Sequence, residues 1–228
     1  MSEIEGAVTP DNPGETDIFR EWFPRSGDRL FTESDRAASV DCTGYSNPFS
    51  NEPRSPIGRW GLYTDGFLIA GDRLVEGFTG TAPEDALIYP VLALYRHHLE
   101  LELKGLVRQA LNYSVADKAN IERGRGELSN THGLKALWNM LQMHFPQSKD
   151  WAIPEQHAAF EALLFEFDEH DPNSQAARYP WDKKECQTLT RLRRIDLPAV
   201  KASIHKMSNY LWCFHEGIIQ ANEADVEI

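Results

Sequence analysis

Leu87-Ile-Tyr-Pro-Val-Leu-Ala-Leu-Tyr-Arg-His-His-Leu-Glu-Leu-Glu-Leu-Lys-Gly-Leu106 reads as a core helix that carries an ordered row of charge. Arg96, Glu100, Lys104 and Arg108 recur every four residues, and His97 precedes Glu100 by three and Lys104 by seven. At helical spacing these side chains project from neighbouring strips of one surface. Two readings follow. One is an exposed ion ladder, each pair adding about a few tenths of a kcal/mol to the helix. The other is a polar seam at a pocket or dimer interface, to which other helices bring partners.

The flanking sequence extends the helical reading in both directions. Phe67, Leu68, Leu74, Val75 and Phe78 recur at helical spacing from about Tyr63, and Gly77 and Gly80 mark a stop. Thr81, Pro83, Glu84 and Asp85 form a helix start, and the helix so opened runs to about Asn112, with Pro90 kinking or restarting it. Residues 113 to 130 are polar, with Gly124 and Gly126, and read as a loop or a short charged helix end. Leu134, Leu137, Trp138, Leu141 and Met143 predict a helix closed before Pro146. Phe160, Leu163, Leu164, Phe165 and Phe167 predict another, opened by Pro154. Val200, Ile204, Met207, Tyr210, Leu211, Phe214 and Ile218 line one face of a last helix from about Leu197 to Asn222. With no alternating strand run of any length, the expected fold is all-α: a bundle of four to five main helices over residues 61–228. Residues 1–60 are expected to form an acidic tail and an irregular aromatic arm. Phe19, Trp22, Phe23, Leu30 and Phe31 are too apolar for a solvated linker, while Pro24, Pro48, Pro53, Pro56 and Gly58 forbid a long regular element.

Composition narrows the function classes. Among 228 residues, 23 basic against 35 acidic side chains give a formal net charge of −12, which repels a phosphate backbone. Nucleic-acid binding is therefore disfavoured, and the local basic run at Lys183, Lys184, Arg191, Arg193 and Arg194 reads first as a solvated helix start. Cys42, Cys186 and Cys213 are widely spaced and odd in number, which suits reduced thiols in a cytoplasmic protein. No membrane-spanning run and no basic-apolar leader is expected. No phosphate loop, Ser-His-Asp setting or His-Glu-x-x-His pair is present, so no cofactor and no metal are expected. The Asp168-Glu-His-Asp171 run reads as helix-ending turn chemistry rather than a metal site.

Three pieces together resemble the HEPN domain superfamily: the Tyr95-Arg-His-x-Leu-Glu100-Leu-x-Leu-Lys104 helix, the Thr131-His132-Gly-Leu-Lys-Ala-Leu-Trp138 helix start, and the Ala177-Arg178-Tyr179-Pro180 loop. The resemblance covers roughly residues 63 to 222. It implies an α-helical bundle that works as a dimer. Nucleolytic members carry an Arg and, four to six residues further on, a His late in the domain. Here Arg194 and His205 have ten residues between them, and the pair at a matching interval, Arg125 and His132, falls in mid-chain. The resemblance therefore implies the non-nucleolytic branch, found in bacterial toxin–antitoxin and antiviral defence loci.

The sequence-based expectation is thus a non-catalytic, homodimeric or partner-bound HEPN-like protein that binds a protein partner or a small phosphate-bearing ligand. Its polar cluster would be Arg96, His97, Glu100, Lys104, His132 and Arg178. The alternative is a metal-independent ribonuclease or nucleotide-handling toxin using Arg96, His97 and His132. Glu100 and Lys104 are expected to form a partly buried ion pair that fixes helix register. His132 is expected to act as a structural hydrogen-bonding residue in preference to a general base.

Overall fold

The structure, a computed structural model, describes residues 56–113, 118–145, 154–192 and 194–226. All belong to the second of two compact units into which the chain divides, Gly44–Ile228, the first being Met1–Thr43. The aromatic arm and acidic tail expected before Pro56 lie outside the described residues.

Among the described residues the regular structure is entirely helical apart from one isolated bridge, Trp181 to Gln187. Six α-helices follow in order: α1 (Pro56–Glu76), α2 (Ile88–Tyr113), α3 (Lys118–Asn130), α4 (Leu134–His144), α5 (Pro154–His170) and α6 (Leu197–Val226), with a short 3-10 turn at Ala82–Leu87. Among the described residues, none of the helices is long and apolar enough to cross a membrane.

α1 starts seven residues before the expected Tyr63, inside the stretch whose prolines and glycines argued against a regular element. Pro56 occupies its first turn, where the missing N–H would have had no helical partner. The chain then reverses at Gly80, whose φ of 78° lies in the left-handed region that glycine enters without strain. Glu84 holds the turn, its carboxylate accepting from the backbone N–H and the hydroxyl of Thr79, both at 2.7 Å. Pro90 sits in the first turn of α2, so it restarts the helix and does not kink it.

α2 is the central helix, packed against α1, α3, α4 and α6. Val91, Tyr95, Leu99, Leu103, Val107 and Leu111 are wholly buried along it, and so are Arg96 and, nearly so, His98 and Glu100. Burial all round is the structural reason that its polar residues need partners from other helices. The core around α2 is completed by Leu134, Leu137, Trp138 and Leu141 of α4 and Ile204, Met207, Leu211, Phe214 and Ile218 of α6, with Phe160 and Leu164 of α5 joining it where that helix packs on α4 and α6. Met143, one of the apolar residues whose pattern predicts α4, is 63% exposed. It lies two residues past Leu141, about 200° further round the helix.

The polar segment read as a loop or helix end is α3, a helix of 13 residues. Gly124 is the contact that brings it in: a Cβ there would lie 2.8 Å from Leu111 Cδ2. Only a residue without one lets α3 lie this close to α2.

Candidate functional site

Arg96 projects from α2 into the bundle with none of its surface exposed, so every N–H of its guanidinium must be met by protein. Nη2 donates to the His132 carbonyl at 2.6 Å, Nε to the Asp171 carbonyl at 3.3 Å, and Nη1 to Glu100 Oε2 at 3.3 Å. One side chain thereby ties α2 to the entry of α4 and to the chain leaving α5. Asp168, 4.0 Å from Nη2, turns its Oδ1 to the Leu134 N–H at 2.6 Å and caps α4 from a neighbouring helix. Burial pulls the Arg96 pKa below its ordinary value, and Glu100, Asp171 and Asp168 oppose the shift.

Glu100 is the hub of the cluster. Its Oε1 accepts from Lys104 Nζ and from His132 Nδ1, each at 2.9 Å, while Oε2 faces Arg96. Burial raises the pKa of this carboxyl, but hydrogen bonds from Lys104 and His132 and the charges of Lys104 and Arg96 outweigh it, and the net shift is downward. The pair with Lys104 is the partly buried ion pair that the four-residue spacing suggests, with side chains 4% and 12% exposed. His132 is 54% exposed and forms the outer rim.

Of the six sequence-predicted cluster residues, four interlock in this way: Arg96, Glu100, Lys104 and His132. His97 turns aside to meet the ring of Phe67 edge-on, with centroids 4.4 Å apart. Burial lowers its pKa, helped by the nearby charge of Arg178. Arg178 lies in the exposed loop after α5 and donates from Nε to the Ser174 carbonyl. The charge row itself breaks at Arg108, whose guanidinium lies over the Trp60 ring at 4.8 Å. Arg125 donates to Asn112, His132 bonds Glu100, and His205 bonds Asp72, so neither Arg–His pair weighed from sequence is assembled by the fold.

The described residues between α5 and α6 hold no helix, yet they are firmly braced. Asp171 Oδ1 accepts from the Gln175 and Ala176 N–H groups at 2.6 and 2.9 Å, and the single Thr188 hydroxyl hydrogen is shared between the carbonyls of Tyr179 at 2.7 Å and Ala176 at 3.0 Å. Asp182 accepts from the N–H groups of Lys184 and Cys186, both at 2.8 Å. The brace presents Tyr179 and Trp181, 55% and 59% exposed, next to Arg178. Sequence reasoning placed Arg178 in a loop but did not single out Tyr179 and Trp181 as surface aromatics. Alternation with Pro180 and Asp182 was the available signal. The acidic run before the loop works as turn chemistry: Asp168 and Asp171 cap, and Glu169 pairs with Arg191. Among the described residues, no group of three or more His, Cys, Asp or Glu side chains is placed to hold a metal ion.

A second polar group, unseen in the sequence, lies on the other side of α2. His98 Nδ1 meets the Thr64 carbonyl of α1 at 3.0 Å, and its Nε2 lies 3.1 Å from Ser208 Oγ of α6 and 3.4 Å from Glu102 Oε2. Ser208 donates to Glu102 Oε1 at 2.7 Å. Burial holds His98 below its ordinary pKa and pushes Glu102 up to about 7.

No family model matches this chain, and neither a curated protein nor a solved structure does.

Proposed function

We propose that the chain acts by binding rather than by catalysis, as a HEPN-like helical protein that pairs with an acidic protein surface through the braced loop 171–192. The observation that carries this reading is the pre-organised display of Arg178, Tyr179 and Trp181. These residue types dominate the energetics of protein interfaces, and their loop is already fixed by hydrogen bonds, so little ordering cost is added on binding. Charge favours an acidic partner. Residues 178 to 194 hold six basic side chains against two acidic ones, in a chain whose total is −12. The rest of another copy is accordingly an acidic surface, and a homodimer is the simplest assembly.

The Arg96 cluster supports the non-catalytic part of the reading. A catalytic guanidinium must reach substrate, and this one is wholly buried with its nitrogens engaged by the fold. Lys104 and His132 are both turned to Glu100, which leaves little free positive charge for a small phosphate.

Light scattering at micromolar concentration should give a dimer for the wild-type chain. Arg178→Ala combined with Trp181→Ala should give a monomer with an unchanged helical circular dichroism spectrum, and a monomeric wild type would sink the proposal. Single-stranded RNA and transfer RNA incubated without divalent metal should stay intact. Cleavage that disappears in His132→Ala or His97→Ala would instead establish the ribonuclease alternative.

A further inference from the structure

α1, α2 and α6 enclose a groove of about 510 Å³ on the side of α2 turned away from the Arg96 cluster. Its inner wall is built on a close contact. Trp60 donates its indole N–H to the Leu101 carbonyl at 2.8 Å, and a Cβ on Gly105 would lie 3.0 Å from that nitrogen, so the ring lies tight against α2. Arg108 covers the ring from above at 4.8 Å. Trp212, 60% exposed, stands in the α6 wall beside His215, which donates from Nδ1 to Gln109 at 2.7 Å. The lining is largely apolar, with Asp65 and Glu102 as its acids.

Proton accounting at Glu102 shows what is missing. His98 uses the hydrogen of Nδ1 on the Thr64 carbonyl, which leaves Nε2 as an acceptor in the neutral ring. Nε2 and both Glu102 oxygens then face a single donor, the Ser208 hydroxyl, which is turned to Oε1. Glu102 Oε2 is buried with no hydrogen-bond partner. The trio is one donor short, and either a proton held between Glu102 Oε2 and His98 Nε2, 3.4 Å apart, or a cation from outside supplies it.

We propose that this groove binds a small aromatic amine in its protonated form, the ring lying between the Trp60 and Trp212 walls and the ammonium reaching Glu102 and Asp65. Apolar walls with two indoles fit a flat ring, and indole faces attract cations. An anion of the same shape would meet two carboxylates, and the opposing Arg108 is already stacked on Trp60. This inference is independent of the loop-mediated pairing proposed above, since it uses other residues on another face.

The groove titrates in the range where binding is easily measured. With the Glu102 carboxyl pushed up to about 7, an ammonium ligand must displace its proton. The carboxyl goes from about one-tenth to about nine-tenths ionised between pH 6 and pH 8, so affinity should rise about tenfold across that window. Burial pulls the His98 pKa below its ordinary value, which disfavours an opposing charge there. Arg108, His215 and Asp65 also face the groove, and any contribution from them persists in a Glu102 variant.

The test is calorimetric titration of the full chain with tryptamine, with indole-3-propionate as the anionic counterpart. Tryptamine should bind at least tenfold more tightly than indole-3-propionate at pH 8, with the tenfold pH dependence and with proton release at pH 7. Glu102→Gln should weaken tryptamine at least tenfold and abolish both the pH dependence and the proton release. Trp212→Ala, a change at an exposed position, should weaken binding but keep the pH dependence. Equal or tighter binding of the anion, a flat pH profile in the wild type, or no tryptamine binding at millimolar concentration would each overturn the proposal.

Discussion

Arg96 carries a full charge at a position with no exposure, and the fold tolerates it because Glu100, Asp168 and two backbone carbonyls surround it. Removing Glu100 takes away the nearest counter-charge of that guanidinium and leaves Asp168, 4.0 Å from Nη2, in its place. Glu100→Ala should therefore cost roughly 2 to 4 kcal/mol, read as a fall in denaturant midpoint, where an exposed ladder would lose under about 0.5 kcal/mol. Glu100 and Glu102, two residues apart on one helix, should also pull stability in opposite directions with pH. The folded pKa of Glu100 is depressed, so its contribution is present above the ordinary carboxyl value and is lost as pH falls through the folded value. That of Glu102 is raised from 4.5 to about 7, so the fold favours its neutral form. Its contribution is intact below 4.5 and declines as pH rises through 7, by roughly 3 kcal/mol in all. Glu102→Gln keeps a neutral donor in place, and the difference from wild type isolates this one group from His98. The variant should be the more stable above pH 7 and lose its advantage below pH 5. A difference that is constant across that range would show that Glu102 does not titrate as described.

Helix contacts set a matching contrast among the glycines of α1. A Cβ at Gly71 would lie 2.6 Å from Cε1 of Tyr95, a ring that is wholly buried and held by its hydroxyl bond to Asp72 at 2.8 Å. Gly66 meets nothing within 4 Å. Gly71→Ala should destabilise by about 1 to 3 kcal/mol through forced displacement of α1 from α2, and Gly66→Ala should stabilise by about 0.5 to 1 kcal/mol through helix propensity. Thermal melts of the two variants give the sign directly. The same contacts explain what could be read from the sequence. Apolar periodicity located α4, α5 and α6 and the helical nature of the Leu87–Leu106 stretch, because one buried face leaves a 3.6-residue repeat. It missed α3, whose apolar positions are few and whose decisive residue, Gly124, shows its role only once Leu111 is beside it. It likewise paired Glu100 with Lys104, a contact internal to one helix. The His98–Glu102–Ser208 trio was out of reach, because Ser208 lies 106 residues from Glu102 and nothing local marks it.

On the scale of the whole molecule, charge is divided unevenly between the loop before α6 and the rest. Arg178, Lys183, Lys184 and Arg194 stand exposed in a chain with a net charge of −12, and Trp181 stands exposed among them. Such an arrangement attracts an acidic surface at a distance and anchors it by aromatic burial on contact, and salt separates the two contributions. Attraction between solvent-exposed charges is screened within about 10 Å at 0.1 M salt and about 3 Å at 1 M, whereas burial of an indole is not weakened by salt. If the chain pairs through this loop, raising sodium chloride from 0.05 to 0.5 M should weaken the dimer by about three- to tenfold. Lys183→Ala with Lys184→Ala should flatten that dependence while leaving the high-salt affinity nearly unchanged. Trp181→Ala should weaken pairing at every salt concentration and leave the slope in place. Sedimentation equilibrium across the salt series measures all three. A dimer that tightens with salt and ignores the lysine substitutions would place the interface on a different, apolar surface and remove the loop from the assembly.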